Sequence, residues 1–146
     1  MSRTKGSFYR TLTSFVLKLS SSALQATLFA NLAKASGQLS RFGWVAHYAS
    51  LALHVMNSLD DEVAVTVMPK RNKCTVDMLV LRAKAFLKTN RPQLASRDCD
   101  QLDSLEGGSG SERSRMLRHE IEGFKARRVA LNRKLAKNVA SWVSMT

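Results

Sequence analysis

Residues 79–105, LVLRAKAFLKTNRPQLASRDCDQLDSL, constrain the fold most, because helical periodicity and turn chemistry coincide in them. Leu79 and Ala83 lie one helical turn apart in the first half of the stretch. Asn90 tolerates a left-handed backbone, and Pro92 suits the first position of a new helix. We therefore expect two short antiparallel helices joined by a tight turn, which is an αα-hairpin.

The second helix of this hairpin is predicted to be amphipathic. Ala95, Cys99 and Leu102 follow one another at the spacing of a buried helical stripe. We expect Cys99 to be a small core residue. The acids between these positions are spaced as on a solvated face, and they are Asp98, Asp100 and Asp103.

The hairpin resembles a tetratricopeptide repeat, a unit of about 34 residues with a small residue midway along each helix. Ala83 and Ala95 stand at those two positions. The template also fits TLFANLAKASGQLSRFGWVAHYASLALHV, and the resemblance covers residues 24–106. It implies an all-α fold, in which helix hairpins stack as a short right-handed solenoid. The residues at repeat positions in the earlier window are Phe29, Leu32, Ala33, Phe42, Ala52 and Leu53.

The length of 146 residues and this layout predict a single helical-repeat domain. Its expected parts are a basic amphipathic helix at 1–22, a repeat at 23–58, an insertion loop at 59–74, a second repeat at 75–106, and a linker with a long basic helix at 107–146.

In the first repeat we expect a helix over about residues 23–36, ended by Gly37, and a partner helix over about 41–58. The side chains expected to face inward from the first helix are Leu24, Leu28, Leu32 and Ala35. Those expected to be buried on the partner helix are Phe42, Val45, Ala49, Leu53 and Met56.

The insertion follows from the offset between the two repeats. Ala33 and Ala83 are 50 residues apart, whereas a repeat has about 34, so about 16 residues are added. The alternating valines of DDEVAVTVMPKRNK indicate either a short extended piece or the end of a long helix. Pro69 ends this piece, a basic loop follows, and Asp77 is expected to start the next helix. The insertion is either a functional loop or a tolerated surface addition.

After the flexible stretch EGGSGS, Ser109 and Glu112 have capping-box spacing for a final helix of about 33 residues, or about 50 Å. Its first half is expected to cap the repeat stack and its second half to project from it. Arg128 and Asn138 interrupt its apolar stripe. That stripe alternates steps of three and four residues through Leu117, Ile121, Phe124, Leu131, Leu135 and Trp142.

Positive charge is concentrated at the two ends of the chain. The formal net charge is +12 and the pI is near 10.4. Residues 1–59 contain six Lys or Arg and no acid, 60–106 contain eight of each sign, and 107–146 contain nine against three. Such a field attracts polyanions and acidic surfaces.

The N-terminal helix at 1–22 allows two interpretations. It is basic, rich in hydroxyl groups and free of acids, as mitochondrial transit peptides are. Alternatively, it is the second helix of a preceding repeat whose first helix is missing or highly altered. We therefore expect a cytoplasmic or a mitochondrial protein and leave the two open. The apolar face of this helix consists of Phe8, Leu12, Phe15, Val16 and Leu19.

The chain carries no motif that predicts catalysis, so we expect that it is not an enzyme and needs no cofactor. Cys74 and Cys99 are isolated, and His47 and His54 lack a third ligand, so no metal site is predicted. No apolar run approaches the roughly 18 residues that a membrane span needs.

The layout also resembles the tetratricopeptide domain of immunophilin-type co-chaperones, which grip a terminal carboxylate of a chaperone. Asn31 stands where that family has a clamp asparagine. Asp77 and Leu81 occupy the positions of a clamp lysine and arginine. The resemblance therefore implies a binding groove without the carboxylate clamp.

Two functions follow as hypotheses. The first is a non-catalytic interaction scaffold, or adaptor, within a hetero-oligomeric complex. It would hold a peptide or helix of another protein in a groove near Asn31, Lys34, Arg82 and Phe86. The second is a basic structural or assembly subunit of a ribonucleoprotein, such as an organellar ribosome. Its RNA contacts would be Arg127, Arg128, Arg133, Lys134 and Lys137.

Overall fold

The computed structural model describes residues 3–105 and 111–145, with the backbone alone at 3–13, 15 and 16. These ranges contain six helices and no strand, so the predicted all-α class is confirmed. The right-handed stacking of repeats stays a prediction. The helices are α1 (Arg3–Gln38), α2 (Phe42–Asn57), α3 (Asp61–Val67), α4 (Arg71–Lys88), α5 (Pro92–Leu105) and α6 (Glu112–Ser144).

The long helices pack mainly on their neighbours in the chain. α1 packs on α2, α2 on α4, α4 on α5, and α5 on α6. α4 also touches α1 and α6, while the short α3 touches α1. α4 is therefore the central helix, since it contacts all four other long helices.

α1 differs from prediction in extent and in orientation. From Arg3 onward, the expected segments 1–22 and 23–36 form one continuous helix, which passes Gly37 and ends at Gln38. Its buried side chains are Ala23, Ala26, Ala30 and Ala33. The side chains predicted to face inward are exposed instead, and they are Leu24, Leu28, Leu32 and Ala35.

Close helix packing explains this reversal. Ala30 and Ala33 on α1 share one core cluster with Ala49 and Ala52 on α2, and Ala33, Ala49 and Ala52 are fully buried. Small side chains on both helices let the two backbones approach, whereas leucines at those positions would hold them apart. Periodicity alone did not distinguish the alanine face from the leucine face. Of the predicted N-terminal apolar face, only Leu19 has a described side chain, and it is half-buried.

The turn between α4 and α5 is as predicted. Asn90 has a left-handed backbone with a φ of 62°, and Pro92 is the first residue of α5. In the turn between α1 and α2, Ser40 likewise has a left-handed backbone, with a φ of 55°. Gly37 is not the helix terminator that we expected. It lies inside α1, where an added Cβ would be 3.8 Å from the side chains of Val45 and Leu81.

The insertion is largely helical, which corrects the prediction of a loop at 59–74. The valines belong to α3, and α4 begins at Arg71, six residues before Asp77. The Arg71 guanidinium donates to the Leu59 carbonyl oxygen at 2.9 Å and pairs with Asp61. Because Leu59, Asp61 and Arg71 all belong to the 59–74 segment, these contacts connect its two ends to each other, while α3 packs the segment on α1.

The core consists of two clusters on either side of α4. Met56, Met78 and Leu79 are fully buried in the cluster that α1, α2 and α4 share. Every inward position predicted on α2 is buried except Phe42, which is half-buried. The second cluster joins α4, α5 and α6, and it confirms the predicted burial of Ala83, Ala95 and Cys99. It is completed by Leu87, Leu117 and Ile121.

α6 has a packed first half and an exposed second half, as predicted. Its N-cap is Ser111, whose hydroxyl accepts a hydrogen bond from the Ser114 amide at 3.2 Å. The predicted cap, Ser109, lies outside the described residues. Arg118 pairs with Asp100 and Asp103 and so connects this half to α5. Residues 126–145 are all exposed.

Candidate protein-binding clefts

Two clefts lie side by side on α4. The first has a volume of about 440 Å³ and lies between α1, α2 and α4. The second, of about 640 Å³, lies between α4 and α6. Lys84 and Lys88 line both clefts, so these two lysines form the wall between them.

Local helix geometry places these side chains. Lys84 and Lys88 are four residues apart, so both project from the same face of α4. Next to them, Leu81 and Ala85 line the first cleft together with Val45 of α2. Each cleft therefore combines an apolar lining with ammonium groups.

The charge around the clefts is almost entirely positive. Lys34 lines the first cleft and Arg127 lines the second, in addition to the two shared lysines. Among the described residues that line the two clefts, Glu120 is the single acid. Within residues 3–105 and 111–145, none of the three lysines forms an ion pair. These ammonium groups are therefore available to an anionic ligand.

Of the four residues predicted to form the groove, Lys34 alone lines a cleft. Asn31 is exposed on α1 and contributes to neither cleft lining. Phe86 is half-buried and packs against the second core cluster, with its ring centre 5.9 Å from the Arg82 guanidinium. Arg82 also lies outside the lining of both clefts.

Arg82 is directed into the structure. Its Nε and Nη2 donate to the two carboxylate oxygens of Asp98 at 3.0 and 2.6 Å, and its Nη1 donates to Ser50 Oγ at 3.1 Å. Asp98 is 3% exposed, which corrects its predicted place on a solvated face. Burial raises the pKa of the Asp98 carboxyl from its ordinary value, although the hydrogen bond and charge of Arg82 act in the opposite direction.

The sequence contained a signal that Arg82 faces inward. Arg82 is three residues after Leu79 and four before Phe86, so it shares the inward-facing side of α4 with them. The cleft lysines Lys84 and Lys88 lie one turn apart on another face. Sequence reasoning missed these two lysines because it assigned the groove by repeat position instead of by helix face.

The residues predicted to contact RNA lie along the outer part of α6 and are all exposed. Arg127 also lines the second cleft. Residues 123–145 contain no acid. The projecting half of α6 therefore exposes cations between Arg127 and Lys137 without any acid beside them.

Two further observations concern metal and membrane. Among the residues whose positions are described, no group of three His, Cys, Asp or Glu comes together that could hold a metal ion. His47 instead packs against the ring of Tyr48, 5.4 Å away between ring centres, beside Trp44. None of the described helices combines the length and apolarity needed to cross a membrane.

Comparison of the chain with protein-family models, curated proteins and solved structures finds no match.

Proposed function

We propose that the chain is a non-catalytic, tetratricopeptide-like adaptor that binds an acidic segment of another protein in the two clefts along α4. The observation that carries this proposal is the wall between the clefts. Lys84 and Lys88 face both of them, and neither is in an ion pair within the described ranges. One bound segment can therefore contact both lysines while it crosses α4.

The chemistry of the lining indicates the kind of segment. Carboxylates would meet the ammonium groups of Lys34, Lys84 and Lys88, and an apolar side chain would cover Val45 and Leu81 in the first cleft. The net charge of +12 would steer an acidic partner toward the chain and raise its association rate. The expected ligand is thus an acidic segment with interspersed apolar residues.

The helix arrangement supports the comparison with helical repeats. α1, α4 and α6 contribute lining residues to the clefts, and α4 contacts both of the others. In a tetratricopeptide-like stack, the first helices of successive repeats would line one groove in this way. The groove proposed for this chain uses lysines of the central helix in place of a carboxylate clamp.

Capture of partners from a cell extract, followed by crosslinking mass spectrometry, tests this function. The cleft variant is Lys84→Glu with Lys88→Glu. A matched control, Arg91→Glu with Arg97→Glu, makes the same charge change at exposed positions of the α4–α5 turn and α5 that line neither cleft. We expect the cleft variant to lose the acidic partner and the control to retain it, with wild-type crosslinks at Lys34, Lys84 or Lys88. Equal loss in both variants, or crosslinks elsewhere only, would refute the cleft assignment.

A second candidate function is an RNA-contacting subunit of a ribonucleoprotein. One observation favours it: the outer part of α6 exposes the five predicted cations with no acid among them. If all five met the phosphates of a single strand, the logarithm of the affinity would fall with the logarithm of salt concentration at a slope of about −3.5. Neutralising Arg133, Lys134 and Lys137 with glutamine would reduce that slope by about 2. A slope that does not change between the two proteins would contradict RNA contact at these residues.

A further inference from the structure

The outer half of α6 carries an uncovered apolar stripe beside its cations. Leu117 and Ile121, near the start of α6, are 2% exposed because they pack on α4 and α5. The same face continues past Phe124 into solvent. The large apolar side chains that it exposes there, with their exposed fractions, are Leu131 at 57%, Leu135 at 53%, Val139 at 59% and Trp142 at 68%.

The spacing along this face is that of a coiled coil. Steps of four and three residues alternate from one end of α6 to the other, which is the heptad pattern of core positions in paired helices. Two of the core positions are polar, Arg128 and Asn138. The complete series is Leu117, Ile121, Phe124, Arg128, Leu131, Leu135, Asn138 and Trp142.

Charge determines what kind of helix could cover the stripe. The positions that flank the core include Arg127 and Lys134, and residues 123–145 contain no acid. In a parallel pair of two copies of this chain, Arg128 would face its own counterpart in the core. Self-association therefore brings like charges together, whereas an acidic helix would neutralise them.

The apolar stripe also makes RNA and an anionic lipid surface less suitable occupants than an acidic helix. RNA phosphates would be satisfied by the cations alone and would leave Leu131 and Leu135 in water. An anionic lipid surface would cover the leucines, but it would draw the polar side chains of Arg128 and Asn138 toward hydrocarbon. A protein helix can instead present a carboxylate to Arg128 and an amide to Asn138.

We propose that residues 124–142 of α6 pair with an acidic amphipathic helix of a different protein as a two-stranded coiled coil. The contact is about 28 Å long. The partner helix has apolar residues at heptad spacing, acids at its flanking positions, one Glu or Asp opposite Arg128, and one amide opposite Asn138. This surface begins at the edge of the second cleft, which Phe124 and Arg127 line, and runs away from it along the exposed half of α6. It therefore provides a second attachment point beyond the proposed cleft function.

The test uses the full chain and a synthetic 21-residue helix. This acidic probe has Leu at its heptad core positions, Glu at its flanks, and one Glu and one Asn matched to Arg128 and Asn138. A basic probe of the same apolar pattern has Lys in place of every Glu. We expect the acidic probe to form a one-to-one complex by light scattering and to raise the helical circular dichroism, and the basic probe to do neither. Equal binding of both probes would overturn the proposal.

Variants of α6 localise the contact. Leu131→Ser with Leu135→Ser should weaken binding of the acidic probe by about a hundredfold, because each buried leucine contributes roughly a factor of ten or more. Val129→Ser, at an exposed position on another face, is the matched control and should bind as wild type does. Because the acidic probe also has the composition proposed for the cleft ligand, these α6 variants are compared in a Lys84→Glu, Lys88→Glu background, which removes the cleft contact and serves as the reference for unchanged binding. If the Leu variant binds as wild type does, the stripe is not the contact.

Charge reversal and competing ligands complete the test. Arg128→Glu should lose about tenfold in affinity for the acidic probe, and should regain it with a probe whose matched Glu is replaced by Lys. A blue shift of Trp142 fluorescence, measured in a Trp44→Phe background, reports burial of the stripe. A larger blue shift of Trp142 fluorescence with a single-stranded RNA or with phosphatidylserine vesicles than with the acidic probe would overturn the proposal. So would a stable dimer of the chain alone.

Discussion

Arg82 and Asp98 form a two-point ion pair that joins α4 to α5, with N to O distances of 3.0 and 2.6 Å. The third contact of the guanidinium, to Ser50 Oγ at 3.1 Å, reaches α2. One side chain therefore connects three helices, and the Asp98 carboxylate is 3% exposed where it meets this guanidinium.

Replacing Asp98 with alanine should destabilise the protein strongly. The substitution leaves the Arg82 guanidinium, whose side chain is 18% exposed, without its partner. Breaking a buried pair in this way costs about 3–5 kcal/mol, and we expect the lower end because Arg82 retains some access to water. The free energy of unfolding in urea measures the loss.

Asp100→Ala is the matched control for Asp98→Ala. Asp100 lies two residues further along α5 and also pairs with an arginine, Arg118, but its side chain is 68% exposed. An exposed pair contributes about 0–1 kcal/mol. Similar losses of unfolding free energy in the two alanine variants would show that the buried Asp98 pair contributes no more to stability than the exposed Asp100 pair.

The two faces of α1 should differ in how strongly a substitution lowers the stability of the protein. Ala33 is fully buried against α2, so Ala33→Leu should cost about 1–3 kcal/mol through overpacking. Leu28 is 56% exposed, and Leu28→Gln should change the free energy of unfolding by about 0.5 kcal/mol or less. Urea unfolding of both variants measures these changes. A larger loss of unfolding free energy for Leu28→Gln than for Ala33→Leu would mean that the leucine face of α1 is the packed one.

The two left-handed turn residues should also differ. Ser40→Gly should stabilise the protein by about 1 kcal/mol, because serine at a φ of 55° bears a steric cost that glycine avoids. Asn90→Gly is the comparison, and a smaller gain is expected because asparagine tolerates a φ of 62° better. Thermal unfolding of the two variants measures the difference. A loss of stability in Ser40→Gly would contradict the expectation.

Asp103 should make stability depend on pH in the acid range. The Ser114 hydroxyl and the Arg118 guanidinium stabilise its carboxylate, so the pKa of Asp103 in the folded protein lies below its ordinary value of 3.8. A lowered folded pKa adds stability that is fully present above the unfolded pKa. This contribution is lost as the pH falls through the folded pKa.

The difference in unfolding free energy between wild type and Asp103→Asn isolates this contribution. Asp98, with its raised pKa, is common to both proteins and cancels in the difference. We expect a constant difference above about pH 5, and a shrinking one as the pH falls below 4. A difference that is independent of pH down to 2 would show that Asp103 is not stabilised in its ionised form.

The two cysteines should differ in reactivity. Burial raises the pKa of the Cys99 thiol to about 11 against the opposing charge of Arg118, and its side chain is fully buried. Cys74 is half-buried, and its pKa is also raised, again chiefly by burial. At pH 8 iodoacetamide should therefore modify Cys74 first, with peptide mapping as the measurement. In urea the two rates should converge, and native Cys99 reacting as fast as unfolded Cys99 would contradict its burial.

Local chemistry made the second hairpin predictable. The left-handed backbone at Asn90 and the helix start at Pro92 depend on the residues themselves, and both were placed correctly. The length of α6 and the exposure of its outer half followed in the same way from its apolar spacing and its charge. The helix starts at Arg71 and after Ser111 were misplaced. Neither the ion pair of Arg71 with Asp61 nor the hydrogen bond that the Ser111 hydroxyl accepts from the Ser114 amide is visible in a periodicity.

The candidate site was predicted less well because it depends on contacts between helices. Lys34 was placed at a cleft, whereas Arg82 was predicted to line the groove and Asp98 to lie on a solvated face, and the two in fact pair with each other. Neither residue indicates the other, since they are 16 positions apart and on different helices.

The sequence by itself determined that the chain is all-α and where most of its helices lie, because helix formation depends on neighbours within a few positions. Only the tertiary structure decided that the alanines of α1 face inward, that Arg82 is held by Asp98, and that Lys84 and Lys88 face the clefts. Each of these outcomes depends on how closely two helices approach.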